Sequence, residues 1–234
     1  MEPNQIRAKR IADGTEIRVI FGGRASYSYL MEAVLDDEDK PEGRKTYRTG
    51  ALIPVKAPAE VFGILRQAVA DAVAVGVKKK WNGRKPANLQ LPLQKGKEKF
   101  DSDPEKYAAY KDMIYLTAKR VEKRGRPTLK AKGQPVTTSG VIESGDWCVF
   151  DVSFYPFDNK SKGVAVALNG VTLIEEGERF GQGPSESSIY SAADELYGDL
   201  LGALGSDDPY GDSNDDPLAD MGGESDDDDP LAGL

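Results

Sequence analysis

Histidine is absent from the 234 residues, and cysteine occurs once, at Cys148. Without histidine there is no Ser-His-Asp triad, no Cys-His pair and no imidazole ligand for a metal. A single cysteine excludes an intramolecular disulfide and every CxxC metal or redox site. Its setting, "DWCVFDVSF", reads as a buried structural thiol of a reducing compartment. No apolar run approaches the ~18 residues of a membrane span, and nothing at the N-terminus resembles a signal peptide. A soluble, cytoplasmic chain is expected. GxxxxGK[ST] is missing as well, which leaves ATP-driven motor function without support. Neither a cofactor nor a metal is expected.

Positive charge is missing from one end. All 31 Lys and Arg lie between Arg7 and Arg179. Residues 1–180 hold those 31 bases and 24 acids, a net of +7, whereas residues 181–234 hold 15 acids and no base. The overall charge of −8 conceals a basic body joined to an acidic tail. Such asymmetry points to a polyanionic partner for the body, with the tail as an internal rival for it.

Alternation of apolar residues marks the body as mainly β. "EIRVIFG" places Ile17, Val19 and Phe21 on one face, and Gly22-Gly23 reads as a turn into a hairpin partner, "RASYSYLM". "LDDEDKPEGRK" is a polar loop without the spacing or glycine of a calcium loop. "TYRTGALIPV" is a further strand. Pro58 then opens a helix whose apolar stripe is Val61, Ile64, Leu65, Ala68, Val69, Ala72 and Val73, ending at Gly76. "KDMIYLTAKRV" has strand character, and "EKRGRPTLKAKGQPV" reads as a loop. Cys148, Phe150, Val152 and Phe154 form the inner face of another strand, with Trp147, Asp151, Ser153 and Tyr155 opposite, and "GVAVALNGVTLI" is the last strand. Five to seven strands with one inserted packing helix favour a small closed or half-closed barrel over an alternating βα fold, spanning residues 1–184. An amphipathic helical segment is expected over 185–205, with Ile189, Ala193, Leu196, Leu200 and Leu204 on one stripe. Residues 206–234 read as a disordered acidic tail.

Residues 78–132 are the basic heart, with 17 bases against 6 acids. Aromatics are interleaved with these and other cations. Trp81 follows Lys79 and Lys80 and precedes Arg84, and Tyr107, Tyr110 and Tyr115 lie between lysines; Tyr27 and Tyr29 follow Arg24; Tyr155 precedes Lys160 and Lys162. Tyr47 and the run Lys119, Arg120, Arg124 and Arg126 complete the candidate set. A basic groove that follows a backbone, with rings on which bases stack, is the physical design of a single-strand binder. Duplex DNA would require only the charge, and no recognition helix, zinc finger or basic zipper is present. Tyr29 and Trp81 lead the expected stacking residues.

The stretch "RGRPTLKAKGQPV…SGDWCVFDVSFYPFDNKSKGVAVALNGVTLIEEGERFGQG" resembles the phage single-stranded-DNA-binding proteins that pair an OB-fold with an acidic C-terminal tail. The likeness is specific over about residues 120–183 and extends in layout to residues 10–183. It implies that residues 1–184 form an OB-fold-like barrel, with sequence-independent binding of single-stranded DNA, a role in phage replication, recombination and repair, and a tail that contacts the replication machinery. Tails in this group often end on a bulky aromatic; this one ends on Leu234.

Two other readings each fit part of the sequence. A two-metal nuclease would draw on Asp101, Asp103, Glu122, Asp146 and Asp151, which show no motif spacing. A DNA-mimicking or chaperone-like acidic protein fits the tail and ignores the basic body. Within the tail, "DDPYG", "DDPLA" and "DDPLAG" repeat an acid pair, a proline and a hydrophobic residue. Asp215, Asp216 and Leu218, then Asp228, Asp229, Leu231 and the terminal Leu234, are the candidate contacts for replication or recombination proteins. The acids are also suited to imitate a phosphate backbone and occupy the groove. Both a monomer and a homo-oligomer remain open.

Overall fold

Alternating apolar residues bury one face of each long strand and bend the sheet around them. The computed structural model describes residues 1–12, 16–36 and 43–180. In chain order the strands are β1 (Ala8–Ile11), β2 (Ile17–Leu35), β3 (Lys45–Pro54), β4 (Leu89–Gln90), β5 (Gln94–Lys95) and β6 (Met113–Val121). They continue with β7 (Thr128–Ala131), β8 (Gln134–Pro135), β9 (Trp147–Asp158) and β10 (Lys162–Glu175). The helices are α1 (Ala59–Lys79) and α2 (Gly96–Ser102).

Five strands close on themselves in the order β2-β3-β6-β10-β9 and back to β2. Closure comes from the parallel β6–β10 contact, where Lys119 lies opposite Ala167; the other four seams are antiparallel. Val19, Phe21, Ala51, Ile53, Leu116, Phe150, Val152, Val166 and Leu168 fill the interior. Phe21 and Phe150 stack at 5.6 Å between ring centroids. Helix α1 adds Val61, Leu65, Ala68, Val69 and Ala72 to the same core. This is a small, mainly β barrel of the expected OB-fold-like class, carrying an inserted packing helix.

Three local expectations are corrected. Gly22 and Gly23 make no turn, for β2 runs straight through them. A Cβ on Gly23 would stand 2.8 Å from the Leu52 carbonyl oxygen, and one on Gly22 would touch Ile6. Close approach of neighbouring chains, not reversal, is what these glycines allow. The supposed loop after β6 contains a short hairpin, β7–β8, which turns at Lys132 (φ 50) and Gly133 (φ 77). Two positive φ values in succession suit a tight hairpin turn, and β7 then pairs with β10. Helix α1 continues past Gly76 to Lys79. Cys148 is fully buried, as its apolar setting predicts, and burial pushes its thiol pKa up. The helical stripe of 187–204 and the acidic tail lie outside the described residues.

Candidate nucleic-acid interface

Strand registry builds the site. On the outer wall of the barrel, Tyr29 of β2 lies opposite Arg48 of β3, Arg48 opposite Lys119 of β6, and Lys119 opposite Ala167 of β10. One further strand along, Tyr155 of β9 pairs with Ala165. At about 4.8 Å per strand, the row from Tyr29 to Ala167 crosses roughly 14 Å of wall. It reads ring, cation, cation, small residue, with a second ring beyond. Tyr29 is 41% exposed and Tyr155 46%. The Arg48 guanidinium lies 5.0 Å from the centre of the Tyr29 ring, which holds that ring without covering it.

A flap overhangs one half of this row. It consists of α2 and the turn ending at Tyr110, and Gly96 roots it: a Cβ there would stand 2.1 Å from the Tyr110 carbonyl oxygen. Tyr110 and Tyr115 pack edge to face at 5.2 Å over Leu52, and the Tyr110 hydroxyl shares a 2.9 Å hydrogen bond with Ser26. Burial raises the Tyr110 pKa to about 12 against that bond, so its ring is neutral at physiological pH. Tyr27 is 43% exposed, adopts φ 46, and donates its hydroxyl to the Lys106 carbonyl at 3.3 Å. A left-handed conformation in a tyrosine is a strained choice, held here by this bond and by the edge contact with Tyr107.

Between flap and wall lies a cleft of about 590 Å³. Four tyrosines (27, 29, 107 and 110) and four cations (Arg48, Lys99, Lys106 and Lys119) line it, and no carboxylate among the described residues does. Lys99 Nζ sits 5.2, 4.8 and 4.6 Å from the ring centres of Tyr107, Tyr110 and Tyr115. Desolvation first, and Lys106 second, hold the Lys99 pKa below its ordinary value.

Lys119 and Thr117 carry the surface into a second cleft of about 700 Å³, which holds Tyr155, Arg44 and the exposed Leu91. Here one acid is present at the margin. The Asp36 carboxylate accepts from Lys119 at 2.9 Å, from Thr46 at 2.8 Å and from Arg44 at 3.0 Å. Burial pushes its pKa up, but these three donors outweigh that and hold it below the usual range. A third cavity of about 480 Å³, lined in part by Arg44, Lys119, Arg120, Arg124 and Tyr155, adjoins the second.

A ring-and-cation row on the outer wall of a five-stranded barrel is the arrangement on which oligonucleotide-binding barrels rely. The family model described as Enterobacter phage Enc34, ssDNA-binding protein, matches residues 17–201. The chain belongs to that family. Among curated proteins it is 26% identical over 144 residues to "Putative protein p50" of Acyrthosiphon pisum secondary endosymbiont phage 1, spanning 59% of this chain and 74% of that one. Among solved structures it is similar to the single-stranded DNA-binding protein from bacteriophage Enc34 in complex with ssDNA, with a TM-score of 0.59, 18% identity, and coverage of 70% and 89%. A second structure of the single-stranded DNA-binding protein from bacteriophage Enc34 gives a TM-score of 0.54 at 18% identity, covering 74% and 89%. At such identities the structural likeness concerns the fold.

Of the candidates read from the sequence of this family member, the structure gathers Tyr27, Tyr29, Lys119 and Tyr155 onto the clefts. Trp81 is corrected: it is 3% exposed, its ring lies against Gly76, and its indole N–H donates to the Phe157 carbonyl at 3.2 Å. A ring so enclosed is core and offers no face to a base. Arg24 is corrected too. Its guanidinium donates to the Gly145 and Glu178 carbonyls at 2.9 and 2.5 Å and lies over Phe180 and Trp147, tying the last described segment to the barrel. Arg120 folds back on the carbonyls of Gly125 and Arg124, and Arg126 reaches the Met31 sulfur. Tyr47 pairs with Arg120 at one end of the wall and is half-buried. Lys79, Lys80, Arg84 and Lys160 are exposed and line none of the three cavities, and Lys162 pairs with Asp158. The sequence reading missed Arg44, Arg48, Lys99 and Lys106; it noted Tyr107 and Tyr110 among the interleaved aromatics without assigning them to the strand. Alternation along β3 could have found Arg48, which lies on the face opposite the inward Ala51 and Ile53; the flap residues have no periodic signal.

Proposed function

We propose that this chain binds single-stranded DNA without regard to sequence, covering it during phage DNA replication, recombination and repair in the cytoplasm of the bacterial host. The observation that carries the reading is the row Tyr29–Arg48–Lys119, continued by Tyr155, between two clefts that the described residues line without a carboxylate. Rings exposed beside fixed cations let bases stack while phosphates are neutralised. Family membership supports the same assignment. Tyr27, Tyr29, Tyr155, Arg44, Arg48 and Lys119 are the residues assigned to the strand.

Binding without catalysis is the reading favoured for the carboxylates. Asp101 pairs with Lys97, Asp103 caps Lys106, Asp151 pairs with Arg18, and Asp146 accepts the backbone N–H groups of Glu143 and Gly177. Committed to separate structural bonds, they do not converge on one point. The tail is assigned two roles that rest on its sequence. Its acids compete for the groove, and its Asp-Asp-Pro-hydrophobic units recruit replication or recombination proteins once DNA displaces them.

A salt titration of oligo-dT binding tests the assignment. For single strands log K falls with log[salt] at about −0.7 per neutralised phosphate, and about 3–6 phosphates are expected. A flat response, or a preference for duplex of the same length, sinks it.

A further inference from the structure

We propose that Lys99, roofing the flap cleft, is the ligand for one phosphate of the bound strand. This rests on the single-strand reading and adds a residue and a chemistry to it.

Lys99 is a half-buried ammonium held over three tyrosine rings, and no carboxylate lies within ion-pair distance of it among the described residues. Its neighbour on the same short helix behaves otherwise: Lys97 reaches Asp101 at 2.5 Å. One lysine of α2 is thus neutralised on the outside, and the other is turned without an anion toward the cleft. Arg48, Lys106 and Lys119 line that cleft with it. Lys119 is paired with Asp36, but Arg48, Lys99 and Lys106 face about 590 Å³ with no acid in the lining; they repel one another, and an anion placed among them relieves that repulsion. The tyrosines that surround the space can hold the attached base and sugar, so a phosphodiester fits better than a free inorganic ion.

The competing explanation is that Lys99 is only a cation–π staple that holds the flap down. Position argues against it: Lys99 lines the cleft together with Arg48, Lys106 and Lys119, and a staple needs no further cations around the same space. Desolvation, which favours the neutral amine, points the same way.

Lys99→Met separates the two, because methionine keeps an unbranched chain over the rings and removes the charge. In the full chain, the phosphate ligand predicts oligo-dT binding weaker by about tenfold, from loss of one charge-assisted contact. It also predicts a salt slope shallower by about 0.7. Thermal stability should be unchanged or higher, and Lys99→Arg should recover affinity and slope. A lower Tm for Lys99→Met with an unaltered salt slope would establish the staple and overturn the proposal. So would a methionine variant that fails to fold. If the unsubstituted chain itself bound oligo-dT without salt dependence, the parent reading would fall, and this inference with it.

Discussion

Trp81 and Gly76 share one space: a Cβ on Gly76 would come within 2.6 Å of two carbons of the indole ring. The helix surface is flattened there so that the ring can lie on it. Gly76→Ala would gain about 1 kcal/mol of helix propensity, but overpacking against a fixed ring costs roughly 1–3 kcal/mol. The net is a loss of stability, readable as a lower denaturation midpoint. The same contact governs spectroscopy. In a Trp147→Phe chain, whose emission comes from Trp81 alone, oligo-dT should leave the fluorescence unchanged. Strong quenching would mean that the ring is open to bases.

Tyr29 and Tyr155 stand at the two ends of the row. Each alanine substitution should cost roughly 1–3 kcal/mol of single-strand affinity while leaving the melting temperature near that of the parent. Filter binding and calorimetric melting on the same samples check both parts. Unaltered affinity in both variants would remove the row from the binding surface.

Asp36 gives a pH dependence whose sign is fixed by its partners. Its folded pKa is lowered, so between that value and the unfolded value of about 3.9 the unfolded chain binds more protons. The stabilisation is complete above the unfolded pKa and is lost as pH falls through the folded one. Asp36→Asn should therefore be less stable than the parent at pH 7 and approach it at low pH. Parallel melting curves for the two chains from neutral pH into the acid range would contradict this.

Removal of residues 206–234 takes away eleven negative charges and shifts the net from −8 to +3. If the tail competes for the groove, the shortened chain should bind oligo-dT more tightly, most of all at low salt, where screening is weakest. It should nonetheless fail in replication or recombination assays that require a partner. Equal affinities across a wide salt range would leave the tail as a solubilising segment.

Alternation made much of the barrel legible. Cys148, Phe150, Val152 and Phe154 all fall inside, as a two-residue period requires, and Tyr155 falls outside. The stripe on α1 was equally plain, because Val61, Leu65, Ala68 and Ala72 follow a helical period. Glycine misled at Gly22-Gly23 because a glycine that permits close approach looks the same in sequence as one that permits a turn. Charge misled at Trp81: three preceding lysines suggested a surface, yet the ring turns back onto its own helix. The flap was illegible for a different reason. Its tyrosines and Lys99 are brought together by packing across α2, the turn at Tyr110 and β6, and no short-range pattern records such a meeting.

The closed wall has a mechanical consequence. The row from Tyr29 to Tyr155 crosses the strands, and therefore winds around the barrel. With side chains included, a five-stranded barrel curves with a radius on the order of 10 Å. A duplex, whose persistence length is about 500 Å, resists bending on that scale, whereas a single strand has flexible torsions at every nucleotide. If the strand lies along the row, as proposed, bending stiffness acts as a filter before any base is touched, and the barrel discriminates by compliance.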